Sequence, residues 1–454
     1  MGMLTKLLSL CSFAALIQTA AWAQTEDGRD LLLRVRDNVT DTLARLPKYM
    51  CSLTIDRAQY APDPLHPLSC DGLAGQRKKG QYKPRLAETD RVRLDVAIAA
   101  ANEIYSWVGE DRFDDRDVFD FVRQGALQTG GFRSFLLSIF SGSAANFSYD
   151  GETSWDGRTL VEFGFQVPRE RSNYLFGNRR EHVLTGYEGT FLADPKTGDL
   201  VRLVVRTSGL PADTGACEAT TTLDYSRVRL HDAEFLLPRD ADLDILNTDG
   251  SDLRNRTAYS SCHEFRGEST VKFDEAAPEA NQAELSKAAP ALSTLPAGLQ
   301  FKLIFTQPID TEAAAAGDRI KAKLASAIRD VSSKEVLVPE GSDITVRIVR
   351  LEHFPGPPSS FRMLVKLETV NMGGTPRPLT ATMNWVPQPL GDATVPHSAM
   401  LGTTSGPVLR RRMPIGSLDT QADPNIGIFD FRDVKSNFVV KSGLESNWKT
   451  AGPQ

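Results

Sequence analysis

Apolar side chains recur at three- and four-residue steps near the start of the chain, which is the spacing of an amphipathic helix. The stripe comprises Leu31, Leu32, Val35, Val39, Leu43 and Leu46. Asp27 is suited to cap the first turn, and Pro47 ends the helical pattern. The sequence therefore predicts a helix between Asp27 and Pro47 whose apolar face packs on another element.

Two further short helices are predicted on either side of the glycine pair Gly130 and Gly131. The first begins at Asp115. The second presents one apolar face that consists of Phe132, Phe135, Leu136, Ile139 and Phe140. A face this rich in large apolar side chains is typical of a helix that covers a sheet.

Strict alternation of polar and apolar residues predicts antiparallel strands over 91–96 and 102–108. From 146 to 273, similar segments separated by turn residues predict a strand meander. Its clearest turn is 194–199, because the proline there fixes φ and the glycine accepts positive φ. Within 219–230 the alternation changes phase near Ser226, which a β-bulge produces.

The C-terminal part resumes strand patterning after a segment rich in Ala, Pro and Glu, which is typical of a linker. Alternating Phe301, Leu303 and Phe305 begin this part, and further strand-sized runs predict a small barrel or sandwich. We therefore expect an α+β, mainly β fold in which an open antiparallel barrel or curved sheet carries helices. The predicted parts are a signal peptide at 1–23, a curved-sheet domain at 24–274, a linker at 275–296 and a small β-domain with a loop-rich tail at 297–454.

The N-terminus has the pattern of a cleavable export signal, with Lys6, an apolar run over 7–17, and the small-x-small site that ends at Ala23. No later apolar run approaches the roughly 18–20 residues that a membrane helix needs. We expect cleavage after Ala23 and a periplasmic or secreted protein with no transmembrane segment in the mature chain. The net charge of −6 is unfavourable for a nucleic-acid partner.

Four of the five cysteines lie beyond the predicted signal peptide: Cys51, Cys70, Cys217 and Cys262. An even number of cysteines in an oxidising compartment predicts disulfides. Three pairings are possible. We favour Cys51–Cys70 and Cys217–Cys262, because the members of each pair are close in sequence.

The hairpin pattern over 187–203, with Asp-Pro-Lys-Thr-Gly-Asp-Leu at its centre, resembles hairpins of the LolA/LppX-like lipoprotein carriers. The later segments 223–225 and 234–238 are similar to strands of the same family, and the resemblance covers about 26–274. It implies an incompletely closed antiparallel barrel that cups helices and holds acyl chains. The C-terminal part resembles a small β-domain of envelope and secretion-associated proteins, which implies a structural role.

Motifs of known catalytic or metal chemistry are absent from the sequence. The segment 402–406 places Thr404 where a nucleophile elbow needs serine, and the six histidines lack metal-ligand spacing. Asp240, Asp242 and Asp244 alternate as in a calcium loop, but Ile245 stands where the turn needs glycine. We therefore expect no catalytic residue, no metal and no cofactor. A carboxylate pair within 110–117 keeps an undetected hydrolase open as an alternative.

The best candidate for function is an apolar cup between the predicted helices and the hollow face of the sheet. Its helical side is the face that includes Phe132. Its sheet side consists of Val92, Leu94, Val96, Phe163, Phe165, Leu203, Val205 and Tyr225. We expect these residues to bind an apolar ligand, such as a lipid or lipoprotein acyl chain, or a segment of an envelope protein partner. The alternative is a purely structural envelope module in which the same side chains fill the core.

Overall fold

The computed structural model describes residues 28–62, 69–99, 102–110, 113, 118–122, 133–177, 182–264, 295–385 and 425–452. The chain forms two compact units. The first contains Met1–Leu86 and Leu94–Arg266, and the second contains Ala87–Arg93 and Gly267–Gln454. The predicted signal peptide lies outside the described residues, as do the start of the helix expected at Asp115 and nearly all of the predicted linker.

Three α-helices belong to the first unit: α1 at residues 28–45, α2 at Cys70–Lys78 and α3 at Ser134–Phe140. The helices predicted before Pro47 and after Gly131 are thus confirmed as α1 and α3. Helix α2 was not predicted, because its apolar content is low and Leu73 is its one buried apolar side chain. Ser69 caps α2 by accepting a hydrogen bond from the Gly72 amide.

The strands of the first unit, in chain order, are β1 Tyr49–Ala61, β2 Arg85–Ala99, β3 Asn102–Trp107, β4 Asn146–Trp155, β5 Arg158–Val167, β6 Leu175–Gly177, β7 His182–Leu184, β8 Tyr187–Ala193, β9 Leu200–Ser208, β10 Ala216–Leu230, β11 Ala233–Asn247 and β12 Asp252–Glu264. Ten of them form one sheet in the order β3-β2-β1-β12-β11-β10-β9-β8-β5-β4. The pair β6–β7 stands apart. Within the described residues no ladder joins β3 to β4, so the sheet is open.

Two local features of the meander confirm the sequence analysis. In the hairpin turn, the Asp194 amide donates to the Asp199 carbonyl at 3.0 Å, and Gly198 has a φ of +70°. The register of β10 against β11 shifts between Asp224 and Tyr225, next to the phase change predicted near Ser226. The long strand β1 was missed, although its buried positions alternate along most of its length.

The favoured disulfide pairing is wrong. The structure contains Cys51–Cys262, with a Cα–Cα distance of 4.1 Å, and Cys70–Cys217, at 5.3 Å. Cys51 lies near the start of β1 and Cys70 follows its far end, about 30 Å away at the rise of an extended strand. Pairing of β1 with β12 brings Cys51 to Cys262 instead, and α2 carries Cys70 to the start of β10.

The second unit is built from strands β13 Gln300–Phe305, β14 Ile309–Asp310, β15 Arg319–Leu324, β16 Ile328–Arg329, β17 Val336–Val338, β18 Asp343–Phe354, β19 Ser360–Met372, β20 Thr375–Pro378, β21 Ala381–Trp385, β22 Ile426–Arg432, β23 Val439–Val440 and β24 Glu445–Thr450. Antiparallel ladders connect β22-β19-β18-β15-β13-β24-β21. The inner faces bury a core that includes Phe305, Phe429 and Trp448. The α+β, mainly β fold class is confirmed.

Strand β2 contributes to both units, which the predicted domain 24–274 did not anticipate. Its first half, Ala87–Arg93, belongs to the second unit, where the Arg93 amide donates to the Ala316 carbonyl at 2.7 Å. A strand of 15 residues is longer than one small sheet needs, and its residues are divided between the two units. In the part of the chain that the structure describes, no helix has both the length and the apolar character for a membrane span.

Candidate functional site

One face of the first unit's sheet is covered by α1 and α3. We call the buried side chains between the sheet and these two helices the hollow-face cluster, after the hollow face that the sequence predicts. It contains Leu31, Val35, Val39, Leu43, Phe135, Leu136, Ile139, Phe140, Val161, Phe163, Phe165, Val167, Tyr187, Phe191, Ala193, Leu200, Leu203, Val205, Leu223, Tyr225, Leu236 and Ala241. Period-two alternation along β5, β8 and β9 places these sheet residues on one side.

Nine of the predicted cup residues meet in this cluster. They are Phe135, Leu136, Ile139 and Phe140 from α3, and Phe163, Phe165, Leu203, Val205 and Tyr225 from the sheet. The apolar stripe of α1, which was predicted to pack on another element but was not linked to the cup, joins them. The predicted helix–sheet juxtaposition is therefore present in the structure.

The remaining predicted cup residues are not in the cluster. Leu94 and Val96 are fully buried on β2, and Val92 lies in the half of β2 that belongs to the second unit. Phe132 lies outside the described residues. The sequence pattern correctly marked these β2 side chains as buried, but it could not show that Val92 belongs to a different unit from Leu94 and Val96.

Aromatic rings form the centre of the cluster. Phe191 stacks on Phe163 with a centroid distance of 5.0 Å and receives the edge of Phe140 from α3 at 5.2 Å. Phe135, also from α3, contacts Tyr174 at 5.2 Å and Tyr187 at 5.9 Å. Such offset and edge-on pairs contribute beyond their buried area. Phe191 and Tyr187 were missed, although both fall at inward positions of a strand that the sequence predicted.

Helix α1 is fixed to the sheet by polar contacts at its outer side. Arg34 Nη2 donates to the Pro195 carbonyl at 3.0 Å, and Asn38 Nδ2 donates to the Thr197 carbonyl at 3.0 Å. Both acceptors belong to the hairpin turn between β8 and β9. These bonds tie α1 to the hairpin turn through residues that do not belong to α3.

Helices α1 and α3 run antiparallel and cap one another. Arg36 of α1 donates to the Phe140 and Gly142 carbonyls at the C-terminal end of α3, at 3.2 and 2.9 Å. Arg133, just before α3, donates to the Leu43 carbonyl near the end of α1 at 3.3 Å. A cation at a helix C-terminus also interacts favourably with the helix dipole.

The contact of α3 with the sheet is nearly all apolar. The helix has seven residues. Its N-cap residue, Arg133, makes no side-chain hydrogen bond that caps the first turn. The Ser138 and Tyr187 hydroxyls form a hydrogen bond of 2.5 Å that ties the middle of α3 to β8. Burial raises the pKa of Tyr187, and the bond to Ser138 opposes that rise.

Four tyrosines lie in the interior of the first unit, at or beyond the hollow-face cluster: Tyr49 on β1, Tyr105 on β3, Tyr225 on β10 and Tyr259 on β12. Burial raises the pKa of all four phenols above the ordinary value. Tyr105 donates to Glu103 Oε2 at 2.7 Å, and the nearby carboxylate further disfavours a phenolate. These groups therefore stay neutral hydrogen-bond donors at physiological pH.

A separate open cleft of about 360 Å³ lies at one end of β5, β8 and β9. It is lined by Gln166, Val167, Pro168, Arg169, Val183, Leu184, Thr185, Gly186, Tyr187, Glu188, Arg206, Gly209 and Pro211. Exposed polar and charged side chains make up much of this lining. The cleft is therefore a different feature from the predicted apolar cup.

The acidic residues considered for other chemistry do not form such a site among the described residues. Asp240 pairs with Arg239, and Asp244 pairs with Arg77 of α2, so two of the three alternating aspartates take part in ion pairs. Of the 110–117 segment, Glu110 and Phe113 alone are described. No group of three or more potential metal ligands is found in the described ranges.

Comparison with known proteins yields remote structural similarity. No family model matches the chain, and no curated protein matches it. An outer membrane lipoprotein-sorting protein domain from Vibrio parahaemolyticus is 10% identical, with a TM-score of 0.27, over 53% of this chain and 95% of that one. A LolA superfamily protein from Nitrosomonas europaea is 8% identical, with a TM-score of 0.21, over 53% and 94%.

A third similar structure is ComB10 of the Com type IV secretion system of Helicobacter pylori. It is 15% identical, with a TM-score of 0.17, and the match covers 35% of this chain and 88% of that one. The comparisons thus find the remote LolA-like resemblance that the sequence suggested. Likeness at these identities concerns the fold alone.

Proposed function

We propose that this protein is exported and non-enzymatic, and that it binds an acyl chain of a lipid or lipoprotein on the hollow face of its first unit. The observation that carries the proposal is the way α3 closes the hollow-face cluster. Four apolar side chains of a seven-residue helix pack on one face of an open sheet. A helix this short is unstable by itself in water, so burial of those side chains holds it in place.

The energies of helix packing and of chain binding are comparable. Burying the side chains of Phe135, Leu136, Ile139 and Phe140 contributes about 6–12 kcal/mol, at about 1.5–3 kcal/mol each. An acyl chain of about fourteen methylenes gains about 11 kcal/mol at about 0.8 kcal/mol per methylene. An acyl chain is therefore able to replace α3 on the sheet without a large net cost, while α1 keeps its bonds to the hairpin turn.

Two disulfides support the exported location. Both close long segments of the first unit, and such bonds persist in oxidising compartments such as the periplasm. The envelope protein partner expected from the sequence stays a prediction, and crosslinking in intact cells followed by mass spectrometry tests it.

A second candidate function is a structural envelope module with a filled core. The observation in its favour is that the members of the hollow-face cluster are already buried against one another without a ligand. The two functions differ in whether α3 leaves the sheet. Native mass spectrometry of protein extracted gently from its own envelope separates them, because the acyl-binding function requires a co-purifying lipid.

The substitution Ser138→Ala is expected to tighten acyl-chain binding about fivefold. Loss of the hydrogen bond between the Ser138 and Tyr187 hydroxyls weakens the packing of α3 on the sheet by about 1 kcal/mol. Because the ligand must displace α3, its binding free energy becomes more favourable by the same amount. Titration with cis-parinaric acid, a fluorescent fatty acid, measures the change.

The matched control is Ser342→Ala in the second unit, where the lost bond is from Ser342 Oγ to the Pro339 carbonyl. This control is expected to leave the affinity unchanged. Equal affinities for the wild type and Ser138→Ala would show that α3 does not compete with the ligand. If no saturable binding occurs with either, the structural module is the better account.

A further inference from the structure

The open cleft at one end of β5, β8 and β9 has the size of a small ligand site. Its volume of about 360 Å³ falls within the range of about 300–1,000 Å³ that such sites occupy. Two arginines, Arg169 and Arg206, line it, and both are exposed. Neither takes part in an ion pair with another described residue, although the net charge of the whole chain is −6.

Among the described residues that line the cleft, Glu188 is the one that is acidic. It stands directly opposite Arg206 in the register of β8 and β9, and opposite Gln166 in that of β5 and β8. Both Glu188 and Arg206 are exposed, and exposed opposite charges attract each other weakly. Glu188 therefore lowers the positive charge of the cleft without neutralising both arginines.

Backbone contacts hold the walls of the cleft in place. The Thr185 amide donates to the Tyr174 carbonyl at 3.0 Å, and the Thr185 hydroxyl donates to the Gly186 carbonyl at 3.0 Å. A Cβ on Gly186 would lie 2.9 Å from the Arg169 amide nitrogen, which is closer than real Cβ atoms approach. The backbone at Gly186 therefore packs directly against the backbone that carries Arg169.

The cleft adjoins the hollow-face cluster. Val167 and Tyr187 line the cleft and are also members of that cluster. Strand alternation places Arg206 on the other side of the sheet from Val205, which is a cluster member, so the cleft lies where the two sides meet at the strand ends. One ligand can thus have its chain on the cluster and its head group in the cleft.

We infer that the cleft binds the phosphate of an anionic lipid head group, while the acyl chain of the same lipid lies on the hollow-face cluster. This inference rests on the proposed function and names the class of lipid. Arginine suits a phosphate because its planar guanidinium offers several donors in a fixed geometry. Val183, Leu184 and Pro211 line the same cleft and suit the methylenes next to the phosphate. A zwitterionic head group carries a cation that Arg169 and Arg206 repel.

The test compares two lysolipids with the same acyl chain: lysophosphatidylglycerol, whose head group is anionic, and lysophosphatidylcholine, whose head group is zwitterionic. Each is titrated below its critical micelle concentration by isothermal calorimetry. The wild type is expected to bind the anionic lipid about tenfold more tightly, at about threefold for each arginine. The preference falls to about threefold in Arg206→Gln and vanishes when Arg169→Gln is added. Glu188→Gln is expected to increase it, because the carboxylate no longer opposes the phosphate.

The matched control is Arg158→Gln. Arg158 is an exposed arginine at the first residue of β5, whereas the cleft lies at the last residues of that strand. Its loss changes the net charge by the same amount as Arg206→Gln, and the tenfold preference is expected to remain. Glycerol 3-phosphate, a head group without a chain, is expected to bind at least about a hundredfold more weakly than lysophosphatidylglycerol.

Equal binding of both lysolipids by the wild type overturns this inference and leaves the proposed function standing. An equal loss of preference in Arg158→Gln and Arg206→Gln does the same, because it traces the preference to net charge. Glycerol 3-phosphate that binds as tightly as lysophosphatidylglycerol would mark a site for soluble phosphate and overturn the link to the acyl chain. Absence of binding of either lysolipid overturns both the inference and the proposed function.

Discussion

Raising the pH from 9 to 11 is expected to unfold the first unit cooperatively. Burial raises the phenol pKa of seven tyrosines there. The five on which this prediction is based are Tyr49, Tyr105, Tyr174, Tyr225 and Tyr259. The unfolded chain releases these protons near pH 10, while the folded unit keeps them, with the pKa of Tyr174 at about 12. The unfolded state then binds fewer protons, so stability falls as the pH rises.

The magnitude is large enough to exhaust the stability of a domain. Each phenol that stays protonated in the folded unit lowers the free energy of unfolding by about 1.4 kcal/mol at one pH unit above the unfolded pKa. Five such phenols therefore lower it by about 7 kcal/mol at pH 11. Native domains are stable by about 5–15 kcal/mol. Below pH 9 both states keep these protons, and this contribution to the pH dependence vanishes.

The second unit is an internal control for this prediction. All nine tyrosines of the chain lie at or before Tyr259, so Ala87–Arg93 and Gly267–Gln454 contain none. Phenolate absorbance near 295 nm and far-ultraviolet circular dichroism should change together, while methyl resonances of Ile344 and Ile348 stay native. Gradual ionisation of all nine phenols without loss of structure would contradict the assigned burial.

Replacing both Cys51 and Cys262 by alanine is expected to lower the free energy of unfolding by about 4 kcal/mol. The bond joins residues 211 apart in sequence, and the second disulfide shortens the effective loop when it is retained. Loop-closure entropy in the unfolded chain then accounts for a loss of this size. Denaturant titration measures the change, and both cysteines are replaced so that no free thiol remains.

The matched variant replaces Cys70 and Cys217 instead. The expected change in this variant is local, because the bond ties α2 to the start of β10. Hydrogen exchange should rise in α2 more than in the ten-stranded sheet. Peptide mapping under non-reducing conditions checks the pairing directly. Recovery of Cys51–Cys70 and Cys217–Cys262 peptides would refute the pairing of β1 with β12.

Much of the candidate site followed from local pattern. Helix α3 and the inward positions Phe163, Phe165, Leu203 and Val205 were predicted, because periods of 3.6 and 2 show which side chains share a face. Phe191 obeys the same rule, so the pattern contained the signal that would have found it. The bonds from Arg34 and Asn38 to the hairpin turn had no sequence signal, since each joins residues about 160 apart in the chain.

Local residue patterns were enough to define the elements, because helix periodicity, strand alternation, the turn at 194–199 and the bulge near Ser226 all depend on residues close together in the chain. The cysteine pairing came from the three-dimensional fold, since the pairing of β1 with β12 outweighs nearness in sequence. The same is true of the division of β2 between the two units and of the bonds by which α1 and α3 cap one another. These cases share one cause: strand order and helix docking are set by burial summed over the whole sheet, which no local pattern contains.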